Sequence, residues 1–295
     1  MVSRRNMPGS RVTAFLRLIP ALALALACAA VAAPGGNGPA FDELVATERA
    51  FARRAQDGGV TSAFQEFLAD DSVVFAPGPM NGKTFYASRP RSTRSLIWGP
   101  AQAEVAASGD LGYTMGPWLA RPLEQPEADP AAGHFLSIWR RGDDGKFHNV
   151  IDVGVDHAPQ ALAAAVDRRG PVATAASMKE LSPSQHSARQ NALLLADREL
   201  VARLADGDGA AALADVLTDD AIVLRNGSGP RWGARALPEP GDMPPMDLVA
   251  LHVSAAGDFG ATAGAGGDPK RPHVYVRAWR WTDGGWRVCA DALKH

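Results

Sequence analysis

Leu68-Ala69-Asp70-Asp71-Ser72-Val73-Val74 recurs 149 positions later as Leu217-Thr218-Asp219-Asp220-Ala221-Ile222-Val223, and this pairing sets the reading of the whole chain. Around it, Glu48-Arg49 matches Asp197-Arg198, Gly109-Asp110-Leu111-Gly112 matches Gly257-Asp258-Phe259-Gly260, Trp139-Arg140 matches Trp279-Arg280, and Asp152 matches Asp291. The offset falls through 148 and 140 to 139 along this series, so the landmarks keep their order while loops shorten. One match would be coincidence, whereas an ordered series means two diverged copies of one unit. Units of this length are tandem domains, because solenoid repeats run to about 20–50 residues.

Each copy opens with helical periodicity and closes with strands. Phe41, Leu44, Val45, Phe51 and Ala52 recur at helical spacing and predict a helix over 41–56. A second helix is predicted over 62–68, and Asp70-Asp71 is read as capping a helix end or a turn. Strands follow at 72–76, 102–107, 111–119, 133–141 and 146–155. The second copy repeats the order, with helices at 191–205 and 209–217 and strands near 221–225, 248–255, 259–264, 273–281 and 285–291. The pattern predicts an α+β protein of two tandem cone-shaped domains, each with N-terminal helices packed on a curved, mostly antiparallel sheet. The expected boundaries are 33–157 for the first domain and 191–295 for the shorter second one. Residues 158–190 form an Ala-, Pro-, Ser- and Gln-rich linker with room for one short helix.

A length of 295 residues with 46% hydrophobic content suffices for two ordinary domains. A formal net charge of -2, with Lys and Arg dispersed, argues against a nucleic-acid partner. Arg4, Arg5, Arg11 and Arg17 are followed by an uncharged apolar run that ends at Ala30-Val31-Ala32. That layout predicts a cleaved signal peptide over 1–32 and a periplasmic or secreted product, with the membrane met only through this segment. Lipid anchoring at Cys28 is the minor alternative, because Ala25 stands where a branched residue is expected. Cys289 would then be a lone, small buried hydrophobe. No C-x-x-C pair, G-x-S-x-G elbow or phosphate-binding glycine loop is found in a suitable context, and no cofactor is expected.

Four strings resemble the nuclear-transport-factor-2-like superfamily: Glu48-Arg49-Ala50-Phe51-Ala52, Phe67-Leu68-Ala69-Asp70-Asp71, Gly109-Asp110-Leu111-Gly112-Tyr113-Thr114, and Trp139-Arg140-Arg141 with Asp144-Gly145-Lys146-Phe147. They look closest to its SnoaL-like and ketosteroid-isomerase-like bacterial domains. The second copy carries the matching Ala196-Asp197-Arg198-Glu199-Leu200, Leu217-Thr218-Asp219-Asp220 and Trp279-Arg280-Trp281-Thr282-Asp283-Gly284-Gly285-Trp286. The resemblance implies a cone with a central pocket, which relatives use for isomerisation, cyclisation, dehydration or hydrolysis, or only for binding. A ketosteroid-isomerase set needs a Tyr, a protonated Asp and a second carboxylate, and these roles find no matching positions here.

If Trp139 pairs with Phe147, His134 falls opposite Asp152 and Ile138 opposite His148. Val274 and Asp291 would be the second copy's equivalents of His134 and Asp152. Opposed residues lie about 4.5–5.5 Å apart at Cβ. His134 and Asp152 could therefore act as base and orienter of an isomerase or lyase, or simply satisfy one another. Tyr86, Trp98, Tyr113, Trp118 and His148 are the candidate lining of the first cone, with ordinary core packing as the alternative. His148, Asp152 and His157 form no expected metal site, because four residues along a strand span about 13 Å and zinc ligands sit about 2 Å from the ion. Trp279, Trp281 and Trp286 are expected to stack and lock their hairpin.

The expected function is binding of a small apolar molecule or a protein partner through the first cone. An isomerase or lyase is one alternative. A scaffold in which the copies pack sheet to sheet as an internal pseudo-dimer is another. One working pocket is expected, in the first copy.

Overall fold

The computed structural model describes residues 38–171, 173, 177, 179–233, 243–282 and 284–295. The predicted signal segment, including Cys28, lies outside the described residues. Among those described, no helix is long and apolar enough to cross a membrane.

The first half begins with α1 (Gly38–Gly58) and α2 (Val60–Phe67). One face of α1 buries Phe41, Leu44, Val45, Phe51, Ala52 and Ala55, the stripe its periodicity predicts. Gly59 joins the two helices at φ 88, in the left-handed region that favours glycine. The strands are β1 (Leu68–Phe75), β2 (Pro79–Asn81), β3 (Arg94–Trp98), β4 (Gln102–Val105), β5 (Leu111–Pro122), β6 (Ala131–Arg141), β7 (Phe147–Asp156) and β8 (Asp167–Arg168). A short helix, α3 (Gly82–Ala87), starts where the Asn81 side chain accepts from the Thr84 N–H at 2.9 Å. The sheet order is β2-β1-β7-β6-β5-β4-β8, with β3 also on β5.

The second half repeats this plan with α4 (Pro183–Ala205), α5 (Gly209–Val216), β9 (Leu217–Arg225), β10 (Ser228–Trp232), β11 (Met246–Val253), β12 (Phe259–Asp268), β13 (Arg271–Thr282) and β14 (Gly285–Lys294). Its sheet order is β10-β9-β14-β13-β12-β11. Each half has one parallel central pairing, β1 with β7 and β9 with β14, in an otherwise mostly antiparallel sheet. Gly207, at φ 85, turns α4 into α5 as Gly59 turns α1 into α2.

Helices cover one face of each sheet. Phe41, Leu44, Phe51 and Phe64 pack there with Trp98, Phe135 and Trp139. Leu193, Leu200 and Leu213 pack likewise with Trp279, Trp286 and Val288. The opposite faces meet one another, and Leu111, Tyr113, Leu136, Ile138, Ile151 and Val153 share one buried cluster with Ile222, Phe259, Val274, Val276, Cys289 and Ala290. Both faces are therefore covered, and this is why the central strands β5 and β6 are buried almost without alternation. Polar contacts at the edge of this cluster are reciprocal. Asp258 Oδ2 accepts from the Ala107 N–H at 2.8 Å, and Asp110 Oδ2 accepts from the Ala255 N–H at 2.9 Å.

Two expectations are corrected by this architecture. Asp70-Asp71 caps neither a helix nor a turn but lies within β1, as Asp219-Asp220 lies within β9. Asp71 receives both Arg140 guanidinium ends at 3.0 and 2.9 Å, and Asp220 receives Arg280 at 3.0 and 3.3 Å. The linker is also shorter than expected. α4 starts at Pro183, where Ser182 and Gln185 form a capping box, and β8 ties residues 167–168 to β4.

Candidate functional site

The hairpin register decides which side chains meet. Arg141 pairs with Phe147 and Trp139 with Asn149, but Ile138 pairs with Ile151, leaving Val150 as the extra residue of a bulge. Beyond the bulge Ser137, not His134, stands opposite Asp152, and His134 faces Val155. The expected His134–Asp152 dyad is therefore not formed. Ser137 donates to Asp152 Oδ1 at 2.6 Å, while His134 Nδ1 lies 2.7 Å from His157 Nε2. Side chains alternate along β6, so His134 and Ser137 lie on opposite faces of the sheet. Burial, aided by the neighbouring His157, lowers the His134 pKa to about 4. The equivalent bulge in the second half falls between Ala278 and Trp279, and sets Arg277, not Val274, against Asp291.

The first cone holds a cavity of about 250 Å³. Tyr86, Trp98 and Trp118 line it, joined by Phe64, Leu96 and Phe135, and its polar groups include Ser137 and Asp152. α1 and α2 supply one wall, where Phe51 and Phe64 meet the Trp98 ring edge-on and tilted, at 4.9 and 6.3 Å between centroids. Tyr86 stacks on Phe64 at 4.3 Å. β3 and β5 bring Trp98 and Trp118 into register. Lys294, from the last strand of the second half, reaches this cavity, with its ammonium 4.0 Å from Asp156.

Two other expected lining residues lie elsewhere. Tyr113 is fully buried in the cluster between the sheets, 6.2 Å from Phe259 ring to ring, because it sits on the opposite face of β5 from Thr114. His148 lies beside the hairpin turn, 3.1 Å from Asp144, opposite Arg140 rather than Ile138. Trp281 and Trp286 do pair across their hairpin, edge-to-face at 5.4 Å. Trp279 is instead buried under α4 and α5. Among the described residues no group of three or more His, Cys, Asp or Glu side chains is placed to hold a metal ion.

Behind the cavity lies a polar network seen in both halves. Thr114 donates to Glu48 at 2.5 Å and accepts from Trp139 Nε1 at 2.9 Å. Thr262 likewise donates to Asp197 at 2.8 Å and accepts from Trp279 Nε1 at 2.8 Å. Trp98 Nε1 also donates to Glu48, at 2.6 Å. Despite these donors, burial, with a contribution from the Asp152 charge, raises the Glu48 pKa to about 7. The halves diverge one residue further on. Thr114 pairs with Ser137 and Thr262 with Arg277, so Ser137 and Arg277 are equivalent. Arg277 bridges Asp197 and Asp291 at 3.0 Å each, and Arg225 reaches Asp291 at 2.5 Å. Burial alone would raise the Asp291 pKa, but these two guanidinia hold it below the usual carboxylate range.

Among the described residues no arginine or lysine forms an ion pair with Asp152, and burial raises its pKa to about 6. Its folded-state value thus lies above the unfolded one, so ionised Asp152 opposes folding at pH 8 and the penalty fades as pH falls through about 6 towards 4. Asp152→Asn should therefore raise the melting temperature by a few degrees at pH 8, an advantage that shrinks by pH 4. A gain that is equal at both pH values would contradict the assignment.

No family model matches the chain, and no curated protein matches it. Solved structures do. An NTF2-like superfamily protein from Salmonella enterica is 13% identical over 43% of this chain and 95% of its own, with a TM-score of 0.33. A ketosteroid isomerase-like protein from Erwinia carotovora is 19% identical over 40% of this chain and 100% of its own, with a TM-score of 0.32. An NTF-2 like protein of unknown function from Shewanella oneidensis is 15% identical over 38% and 96%, with a TM-score of 0.32. The chain is thus similar, over about two-fifths of its length at a time, to NTF2-like and ketosteroid-isomerase-like proteins.

Proposed function

We propose that the chain is a binding protein for a small, largely apolar molecule, held in the cone of the first half, with the second half serving as its packing partner. One observation carries this reading. The first cone is walled by aromatic rings and opens onto Asp152, whereas in the second half Arg277 and Arg225 cover the equivalent Asp291, and the cavity there, beside Asp197, Met246 and Tyr275, does not reach it. A concave, mostly apolar site with a few convergent polar groups is the usual form of a small-molecule site. The isomerase or lyase alternative has less support, because His134 turns to His157 and, among the described residues, Asp152 keeps only the Ser137 hydroxyl as hydrogen-bond donor.

An environment-sensitive naphthalene dye tests the site directly. One equivalent should bind with enhanced fluorescence, and Leu96→Trp, which adds an indole to the cavity wall, should weaken binding about 10-fold or more. Unchanged dye binding in that variant, with the fold intact by circular dichroism, would place the site elsewhere. Export from the cytoplasm, which the N-terminal segment suggests, belongs to the same proposal and is read by sequencing the mature N-terminus.

A further inference from the structure

The two halves can be compared position by position around one retained carboxylate. Val74 pairs with Asp152 and Val223 with Asp291, so the carboxylates are equivalent, and so are Ala76 and Arg225 two residues beyond each valine. Ser137 and Arg277 are equivalent by the pairing given above. In the second half two acids, Asp197 and Asp291, are met by two arginines. In the first half both acids remain, as Glu48 and Asp152, while both arginines are replaced by small residues. Ser137 and Ala76 line the open cavity together with Asp152. The space therefore lies where the second half places its counter-charges.

The walls diverge in a matching direction. Trp98 and Trp118 pair across β3 and β5, and the corresponding pair in the second half is Met246 and Gly266. Indole faces attract cations as well as apolar groups. A buried carboxylate facing apolar walls opposes folding unless a partner compensates it. Among the described residues Asp152 receives the Ser137 hydroxyl alone.

We infer that the ligand of the first cone is a small aromatic or aliphatic cation, an ammonium or amidinium that occupies the place of the missing arginines against Asp152 and lays its apolar body on Trp98, Trp118 and Tyr86. This inference rests on the reading that the cavity binds a small molecule, and it names the charge of that molecule. Glu48 on α1, Tyr86 on α3 and Lys294 on β14 are the other titratable groups near Asp152. Of these, Glu48 lies buried behind its three donors, and burial raises the Tyr86 phenol so that it stays neutral. Lys294 stands near Asp156, and its side chain is 38% exposed, so solvent screens its charge.

The test uses benzamidinium, whose amidinium reproduces the arginine fork, against benzamide, its neutral near-isostere, titrated calorimetrically into the full chain at pH 7.5. Benzamidinium should bind about 10-fold tighter or more, as a charge-assisted pair requires. Asp152→Asn should bring the two probes within about 2-fold of one another. Lowering the pH to 5 should erode the preference, because benzamidinium stays charged while Asp152 takes up a proton. Ser137→Arg, which restores the second half's own counter-ion, should abolish binding of both probes. Equal or tighter binding of benzamide, or binding of the naphthalene dye with no binding of benzamidinium, would overturn the cationic ligand and leave the cavity reading standing. Failure of the dye and both probes would remove both readings together.

Discussion

Arg277→Ala should destabilise the chain by about 3–5 kcal/mol, the usual cost of leaving a buried charge without its partner. The side chain is 2% exposed and lies between Asp197 and Asp291, both equally hidden. Arg225 still meets Asp291 in the variant, so the loss falls mainly on Asp197. That residue keeps donors from Thr262 and Tyr275, at 2.8 and 2.6 Å, but no cation. Urea unfolding followed by tryptophan fluorescence reads the change, since Trp279 hydrogen-bonds to Thr262 in the same network. A loss below about 1 kcal/mol would mean that Arg277 packs the cone without balancing its charges.

Glu48→Ala should cost a similar amount, about 3–5 kcal/mol, for a different reason. The carboxylate gathers donors from Trp98, Thr114 and Trp139, all buried. Removing it strands the Trp98 N–H and the Thr114 hydroxyl at about 1–3 kcal/mol apiece, and opens a void behind the cavity. Glu48→Gln keeps the shape and should recover part of the loss. Because the Glu48 pKa is raised, the wild-type group contributes most to stability below about pH 5 and least above pH 7. The difference between wild type and Glu48→Ala should therefore widen as pH falls through 7. Urea midpoints at pH 5 and pH 8 check this, and a gap that narrows on acidification would refute it.

The order of helices and strands was legible because it rests on periodicity and turn residues, which are local. α1 and α5, with β1, β5, β6 and β7 in the first sheet and β9, β11, β12, β13 and β14 in the second, follow from spacing and turn residues. The face on which a side chain lands was not legible wherever a bulge intervened. Val150 is an ordinary strand residue, and nothing in Phe147-His148-Asn149-Val150-Ile151 marks it as the extra one. The hairpin closes with Arg141 rather than Trp139 opposite Phe147, a shift of two residues that keeps the face, and the bulge adds a third that reverses it, so Ser137 stands opposite Asp152 and His134 points to the other side. Tyr113 was misplaced more simply, since alternation fixes that neighbours differ in face but not which face is the cone.

Two signals were present and could have been read. Ser182-Pro183-Ser184-Gln185 has the composition of a helix start, which moves α4 eight residues earlier than its apolar spacing suggests. Ser137-Ile138-Trp139 aligns with Arg277-Ala278-Trp279 in the repeat, and that column holds the difference between a carboxylate facing a cavity and one covered by an arginine. The aromatic lining was found for Tyr86, Trp98 and Trp118, but α3 and β3, which carry Tyr86 and Trp98, were not predicted. Their residues, Gly82–Ala87 and Arg94–Trp98, are too short to show a period.

The reciprocal grip of Asp110 on Ala255 and Asp258 on Ala107 joins halves that share one polypeptide. Their encounter is intramolecular, so its effective concentration is set by the tether and the assembly does not loosen on dilution. Self-association of identical subunits would oblige every substitution to occur at both faces. On one chain the faces can mutate independently, and the space around Asp152 can remain empty while its counterpart around Asp291 stays filled.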